Sequence, residues 1–164
     1  MRKVLFILGQ LSDSDVEWLA KNGRREKVLQ GAELIRYGVR IETLYFVLDG
    51  EMEVLKKSRR GRETRVAILG PNDCFGEMSI IDMQPRSATV RTLGATRLLK
   101  ISTEEMDALY RHDLKSYTLI VLNIARDLSR RLRVTDGLLA DFTATVIEEY
   151  VQTPSNAKPK PTVG

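Results

Sequence analysis

The sequence has 164 residues, of which 43% are hydrophobic, and it carries a formal net charge of +4 at neutral pH. This length predicts one domain with a sizeable core, and the mild basic excess favours anionic ligands. No apolar run is long enough to span a membrane, and the single cysteine, Cys74, excludes an internal disulfide and favours a reducing, cytoplasmic location.

The first predicted element is a short helix near the N-terminus. Ser12 and Asp15 have the spacing of a capping box. In such a box the first side chain accepts a hydrogen bond from the backbone N–H of the second residue, and the second side chain accepts one from the backbone N–H of the first. Val16 and Leu19 then follow at helical spacing, and Gly23 predicts the end of the helix.

A β region is predicted for residues 27–102. Short apolar runs alternate there with turn residues, among them Gly31, Gly38, Gly50 and the segment from Gly70 to Asp73. Strands this short, at this spacing, predict a sandwich or jelly roll of antiparallel sheets, so the fold class is mainly β with flanking helices. Asn72 stands at one of these turns, and asparagine tolerates a left-handed backbone better than most residues.

A basic loop interrupts the β region at residues 56–62, which read Lys-Lys-Ser-Arg-Arg-Gly-Arg. We interpret it as the solvated tip of a hairpin. No aromatic residue interleaves the charges, which argues against a nucleic-acid surface. An acidic partner remains an alternative.

Two helices are predicted after the β region. Ser102 and Glu105 form a second capping box, and a longer helix begins after Asp113. An apolar stripe follows the longer helix at three- and four-residue steps: Tyr117, Ile120, Val121, Ile124, Leu128 and Leu132. This stripe requires the β region, a second subunit or both as its cover. We expect Gly137 to kink or end the helix, residues 137–152 to form a helical extension, and residues 153–164 to form a disordered tail.

The segment at residues 75–90 carries the chemistry. Gly76 lacks a Cβ and permits a turn and a close ligand approach, while residues 77–81 predict one helical turn whose free N–H groups favour an anion. Arg86 can donate two parallel hydrogen bonds to a phosphate, and Glu77 can accept one from a sugar hydroxyl. Together they predict a nucleotide site. The alternative is a structural salt bridge between Glu77 and Arg86 inside a β domain.

These residues resemble the phosphate-binding cassette of cyclic-nucleotide-binding domains, the family that includes bacterial catabolite activators and the regulatory subunits of cyclic-AMP-dependent protein kinase. The family pattern has two halves separated by a short variable run. The first half is Phe-Gly-Glu followed by an apolar residue and a small residue. The second half is Arg, then Ser, Ala or Thr, then Ala, then Thr or Ser, and finally Val. The resemblance extends over residues 11–136 and implies a domain of residues 1–136 with a jelly-roll fold. It implies ligand contacts from Phe75, Gly76, Glu77, Met78, Ser79, Arg86, Ser87 and Ala88.

The resemblance also implies a ligand and a lid. Cyclic AMP is the preferred ligand, because family sites for cyclic GMP often place threonine where Ser87 stands; cyclic GMP remains open, and no metal is expected. In the bacterial activators the long helix covers the ligand and forms the dimer contact. Thr135 matches the threonine that contacts adenine there, with Leu132 nearby. The alternative for Thr135 is an ordinary polar residue near a helix end.

The sequence therefore predicts a non-enzymatic cyclic-nucleotide sensor that signals through a helical lid to an unidentified protein partner, with a homodimer through the long helix as an option. The alternative is the sensory part of a DNA-binding regulator. A helix-turn-helix domain needs about 60 residues, whereas only 27 residues follow Gly137. We therefore expect a stand-alone sensor that binds neither DNA nor a membrane. A phosphodiesterase is disfavoured because no metal-binding His and Asp cluster is present, and the intact cassette disfavours a scaffold that lost its ligand.

Overall fold

The computed structural model describes the backbone of residues 6–152 and the side chains of residues 7–148. The predicted disordered tail, residues 153–164, lies outside the described residues. A 3₁₀ turn at Phe6–Leu8 precedes the elements, which are α1 (Asp13–Asn22), β1 (Arg24–Val28), β2 (Glu33–Ile35), β3 (Thr43–Asp49), β4 (Met52–Lys57), β5 (Glu63–Leu69), β6 (Cys74–Phe75), α2 (Met78–Asp82), β7 (Thr89–Thr92), β8 (Thr96–Ser102), α3 (Thr103–His112) and α4 (Leu114–Gln152).

The strands form two four-stranded antiparallel sheets, one in the order β1-β8-β3-β6 and the other in the order β2-β7-β4-β5. Buried apolar side chains from both sheets make one core, namely Ile35, Tyr45, Val47, Met52, Phe75, Val90 and Leu98. The predicted jelly-roll-like fold with flanking helices is therefore confirmed.

Local sequence signals explain the boundaries of the two shorter outer helices. The capping boxes predicted at Ser12 with Asp15 and at Ser102 with Glu105 are both present. Gly23 ends α1, and its backbone N–H donates to the Leu19 carbonyl. These boxes satisfy amide groups that a helix start would otherwise leave without partners.

The glycines at the predicted turns adopt backbone conformations that other residues avoid. Gly31, Gly38 and Gly50 have φ angles of 79°, 82° and 91°. Asn72 also adopts a left-handed conformation, with φ at 79°, as its side chain led us to expect. These turns connect the short strands and bring β3 alongside the segment that carries the cassette.

Helix α4 runs without interruption for 39 residues. Of the two alternatives expected at Gly137, a helix end is wrong, and a kink remains a prediction. A single glycine inside a helix costs only about 1 kcal/mol relative to alanine, and good helix formers follow it. Whether a domain boundary lies at residues 136–137 remains a prediction.

The chain divides into two compact units, one ending at Asp127 and the other beginning at Leu128. In the first unit, α4 buries one face, with Ser116, Ile120, Asn123 and Ile124 each less than 4% exposed. The described part of the second unit is the rest of α4. Most of its large apolar side chains are exposed, namely Leu132, Val134, Leu138, Leu139, Phe142, Val146 and Ile147.

Candidate functional site

The backbone at Gly76 sets the geometry of the cassette. It follows the two-residue strand β6 and has a φ angle of 87°. A Cβ built at this position would collide with the Thr43 carbonyl oxygen and lie 2.7 Å from Arg86 Nη1. Only glycine therefore fits between these two groups, both for conformation and for space.

The guanidinium of Arg86 is held by main-chain oxygens. Nη1 donates to the Gly76 carbonyl and Nη2 to the Thr43 carbonyl, each at 2.7 Å. The backbone of Arg86 is fixed as well, because its N–H donates to Val39 and its carbonyl accepts from Gly38, both at 2.9 Å. The third donor atom, Nε, is buried and has no hydrogen-bond partner among the residues that the structure describes.

The electrostatics of Arg86 follow from its burial, since the residue is only 5% exposed. Burial lowers the pKa of Arg86, while the nearby Tyr45 and Glu77 raise it. An arginine nevertheless stays protonated in proteins. Burial raises the pKa of the Tyr45 hydroxyl, because burial disfavours the charged form of either residue. The cassette therefore contains a buried cation in a polar setting, and an unpartnered buried donor suits the binding of an anion.

Glu77 and Ser79 are the two other buried polar residues of the cassette. Glu77 is 3% exposed and stands at the N-cap of α2, a short helix of five residues that begins one residue later than predicted. Ser79 is buried, and its hydroxyl donates to the Gly76 carbonyl at 3.2 Å. A buried carboxylate near a buried guanidinium gives the site an acceptor as well as a donor.

The remaining cassette residues lie around this pair. Phe75 is buried, and its ring stacks on Tyr45 with the centroids 4.8 Å apart. Met78 is exposed, and its sulfur accepts a hydrogen bond from the half-buried Ser87. Ala88 is buried immediately before β7. The structure thus brings the two halves of the predicted site, residues 75–79 and 86–88, into one cluster.

The two residues predicted to meet the base lie in the second unit. Leu132 is 60% exposed. Thr135 is also exposed, and its hydroxyl donates to the Arg131 carbonyl one helical turn earlier, at 2.9 Å. Their role toward a base remains a prediction from the resemblance.

Sequence reasoning missed two contributors to the site. Thr43 and Val39 act through their main-chain oxygens, which hold the side chain and the amide of Arg86. A backbone acceptor leaves no mark in the residue type, so only the way in which β3 and the segment before it lie against the cassette could have identified them.

Two further features are not found in the part of the chain that the structure describes. No group of three or more His, Cys, Asp or Glu side chains is placed to hold a metal ion among the described side chains, residues 7–148. None of the described helices has the length and hydrophobicity of a membrane span.

Comparison with known proteins identifies relatives of this arrangement. Residues 25–113 match the model of the cyclic nucleotide-binding domain. The Cyclic AMP receptor protein of Thermus thermophilus is 32% identical over 126 residues, which are 77% of this chain and 56% of that protein. The CRP-like cAMP-activated global transcriptional regulator of Mycobacterium tuberculosis is 35% identical over 63% of this chain and 45% of its own length. The chain thus spans about half the length of these curated relatives.

Solved structures agree with the sequence relatives. The Catabolite Activator Protein of Thermus thermophilus has a TM-score of 0.75 and 30% identity, covering 84% of this chain and 63% of that chain. The regulatory domain of Toxoplasma gondii PKA, solved with cAMP, has a TM-score of 0.58 and 31% identity over 63% of this chain and 39% of its own. The family model covers more than half of the sequence and includes the whole cassette. The chain belongs to the cyclic-nucleotide-binding domain family.

Proposed function

We propose that this protein is a cyclic-nucleotide sensor without enzymatic activity, and that cyclic AMP is its preferred ligand. The observation that carries the proposal is the state of Arg86, a buried guanidinium that lies against Gly76 and whose Nε–H has no partner in the described part of the chain. A cyclic phosphate satisfies both the charge and the donor. Charge-assisted hydrogen bonds of this kind are among the stronger polar interactions in proteins.

Each part of the ligand has a proposed partner. Arg86 binds the phosphate, with Gly76 and the small residues Ser79, Ser87 and Ala88 allowing close approach. Glu77 accepts a hydrogen bond from the ribose 2′-hydroxyl, and Phe75 and Met78 contribute to the wall. Support comes from the clustering of these residues and from the burial of Phe75, Glu77 and Arg86. No metal is needed, because the protein supplies the positive charge.

The choice of cyclic AMP rests on Ser87 and on the relatives, several of which are named for cyclic AMP. Titration calorimetry with cyclic AMP, cyclic GMP and linear 5′-AMP tests it. We expect the tightest binding for cyclic AMP and the weakest for 5′-AMP, whose doubly charged phosphate does not match a site built around one buried guanidinium. Preference for cyclic GMP overturns the ligand assignment and leaves the site assignment intact.

We propose that the signal leaves through α4. Thr135 and Leu132 contact the base in the bound state, and the exposed apolar residues of the second unit pass the change to a protein partner or to a second copy of the chain. Support comes from the exposed apolar side chains between Leu132 and Ile147, since large apolar patches on a protein surface are commonly covered by another surface. A single buried cysteine, Cys74, fits a cytoplasmic location.

A second candidate function is the sensory part of a DNA-binding transcriptional regulator. The length ratio favours it, because the chain covers only 45% to 56% of relatives that include a global transcriptional regulator. A mobility-shift assay at physiological salt, run on this chain and on the full product of the reading frame that encodes it, distinguishes the two proposals. For a sensor that acts through a protein partner we expect neither to bind a DNA site at nanomolar affinity. Tight, sequence-dependent binding by the full product supports the regulator instead.

A further inference from the structure

The β4–β5 hairpin carries a concentration of positive charge that cyclic-nucleotide binding does not use. Its tip, residues 56–62, holds five exposed cations: Lys56, Lys57, Arg59, Arg60 and Arg62. None of these five side chains forms an ion pair with a residue that the structure describes. Arg65, farther along β5, lies 3.9 Å from Glu53.

The tip is held in one conformation by its own backbone. Ser58 N–H donates to the Arg62 carbonyl at 2.8 Å, and Gly61 N–H donates to the Ser58 carbonyl at 2.9 Å. The Ser58 hydroxyl also accepts from the Arg62 amide at 3.1 Å. Gly61 has a φ of 81°, which this tight turn requires. A fixed turn lowers the ordering cost of binding for the cations that it presents.

Strand β5 leads away from the tip as an edge strand. In the part of the chain that the structure describes, it pairs only with β4, so the outer row of its backbone groups has no strand partner. Val66 and Ile68 are 55% and 53% exposed along this strand. An edge with exposed apolar side chains is a template for the addition of another strand.

We propose that the basic edge, defined as the tip at residues 56–62 together with β5 (Glu63–Leu69), binds an extended segment of a partner protein that adds as a strand to β5. The segment carries apolar side chains opposite Val66 and Ile68 and acidic side chains at the end beside the tip. This proposal does not depend on cyclic-nucleotide binding.

Other occupants fit the basic edge less well. A nucleic-acid backbone complements the tip but not Val66 and Ile68, and no aromatic residue is present in the tip for base stacking. A flat lipid surface that contacts the tip does not reach Val66, which lies four residues, or about 13 Å, beyond Arg62 along the strand. A second copy of this chain is itself basic, with a net charge of +4, so its overall charge repels the tip.

A synthetic peptide tests the proposal. In an antiparallel addition the C-terminal end of the new strand lies beside the tip, since β5 runs away from it. The probe is therefore a fluorescent peptide of alternating valine and threonine that ends in four acidic residues, followed by anisotropy. We expect saturable binding that weakens as salt is added. The same peptide with lysines in place of the acidic residues does not bind.

Matched variants of the full chain separate the tip from general charge. The triple substitution Arg59→Gln, Arg60→Gln and Arg62→Gln is expected to weaken peptide binding about tenfold. The control triple Arg24→Gln, Arg25→Gln and Lys27→Gln removes the same charge from β1 in the other sheet. It leaves peptide binding unchanged. Equal loss in both triples overturns the proposal, because attraction to the whole basic protein then explains binding.

The strand-addition step has its own test. Two peptides methylated on alternate backbone nitrogens differ only in which amides can donate, and one of them is expected to lose binding while the other retains it. The double variant Val66→Thr and Ile68→Thr keeps β propensity and is expected to weaken binding as well, with circular dichroism as the folding control. Equal binding of both methylated peptides overturns the proposal. The proposal is also overturned if duplex DNA or anionic vesicles bind in a way that depends on the tip while the peptide does not bind. A dimer in ultracentrifugation that dissociates in the double variant overturns it too.

Discussion

Arg86 and Thr43 are joined by a buried hydrogen bond of 2.7 Å between the Nη2 donor and the main-chain oxygen, although they stand 43 residues apart in the chain. The bond ties the cassette to β3, the strand that also carries Tyr45. Arg86 therefore holds the local fold together while it provides the charge for the proposed phosphate contact. Substitutions at this position are expected to change stability and binding together.

Arg86→Ala is expected to abolish measurable cyclic AMP binding and to lower the free energy of unfolding by about 1–3 kcal/mol. The loss of stability follows because the Gly76 and Thr43 carbonyls lose their donors. Calorimetry and urea unfolding measure the two effects. Arg97→Ala, at an exposed surface ion pair with Asp49, is the control and should change neither. Unchanged affinity in the Arg86 variant contradicts the site assignment.

Gly76→Ala is expected to weaken ligand binding and stability more than Gly31→Ala does. Both glycines have a left-handed φ, so both substitutions incur backbone strain of about 1 kcal/mol. Only at Gly76 does the new methyl meet the Thr43 oxygen and Arg86, whereas nothing lies within 4 Å at Gly31. Thermal unfolding and calorimetry compare the variants. Equal effects at both positions show that crowding at Arg86 plays no part.

The cassette could be predicted from sequence because its chemistry resides in residue types, such as a glycine at the turn and an arginine ten positions later. The capping boxes and the left-handed Asn72 were predictable for the same reason, since each depends on a few neighbouring residues. The role of Thr43 was not predictable, because a carbonyl oxygen is present in every residue. The continuity of α4 through Gly137 was missed because helix length depends on the sum over many residues, and one glycine does not outweigh its neighbours.

Removal of the ribose 2′-hydroxyl from cyclic AMP is expected to weaken its binding to the natural protein markedly, because the carboxylate of Glu77 then has no ribose hydroxyl from which to accept a hydrogen bond. In Glu77→Gln the gap between cyclic AMP and its 2′-deoxy form should shrink, since a neutral amide oxygen is the weaker acceptor. Calorimetry with both ligands on both proteins measures it. If neither protein distinguishes the two ligands, the carboxylate of Glu77 serves only the fold.

Asn123 holds the N-terminal segment against the first half of α4. Its amide nitrogen donates to the carbonyls of Ile7 and Gly9 at 3.2 and 2.8 Å, and the residue is 3% exposed. Asn123→Ala leaves these carbonyls without the side-chain donor, so we expect a loss of about 1–3 kcal/mol in unfolding free energy. Urea unfolding measures it. Thr118→Ala, at an exposed position of the same helix, is the control, and a loss of equal size there indicates a general helix effect.

The second half of α4 is expected to respond to the ligand. A cut after Asp113 removes Ile120 and Ile124 from the core, so the informative truncation ends at Asp127, the last residue of the first unit. We expect this shorter chain to fold and to bind cyclic AMP more weakly than the full chain, because a ligand that contacts Leu132 and Thr135 favours the state in which they meet it.

In the full chain, hydrogen exchange over residues 128–148 should slow when cyclic AMP is added. A ligand shifts a conformational equilibrium only by its difference in affinity between the states. Equal affinity of the two chains, with exchange that is indifferent to ligand, shows that α4 beyond Asp127 does not report binding.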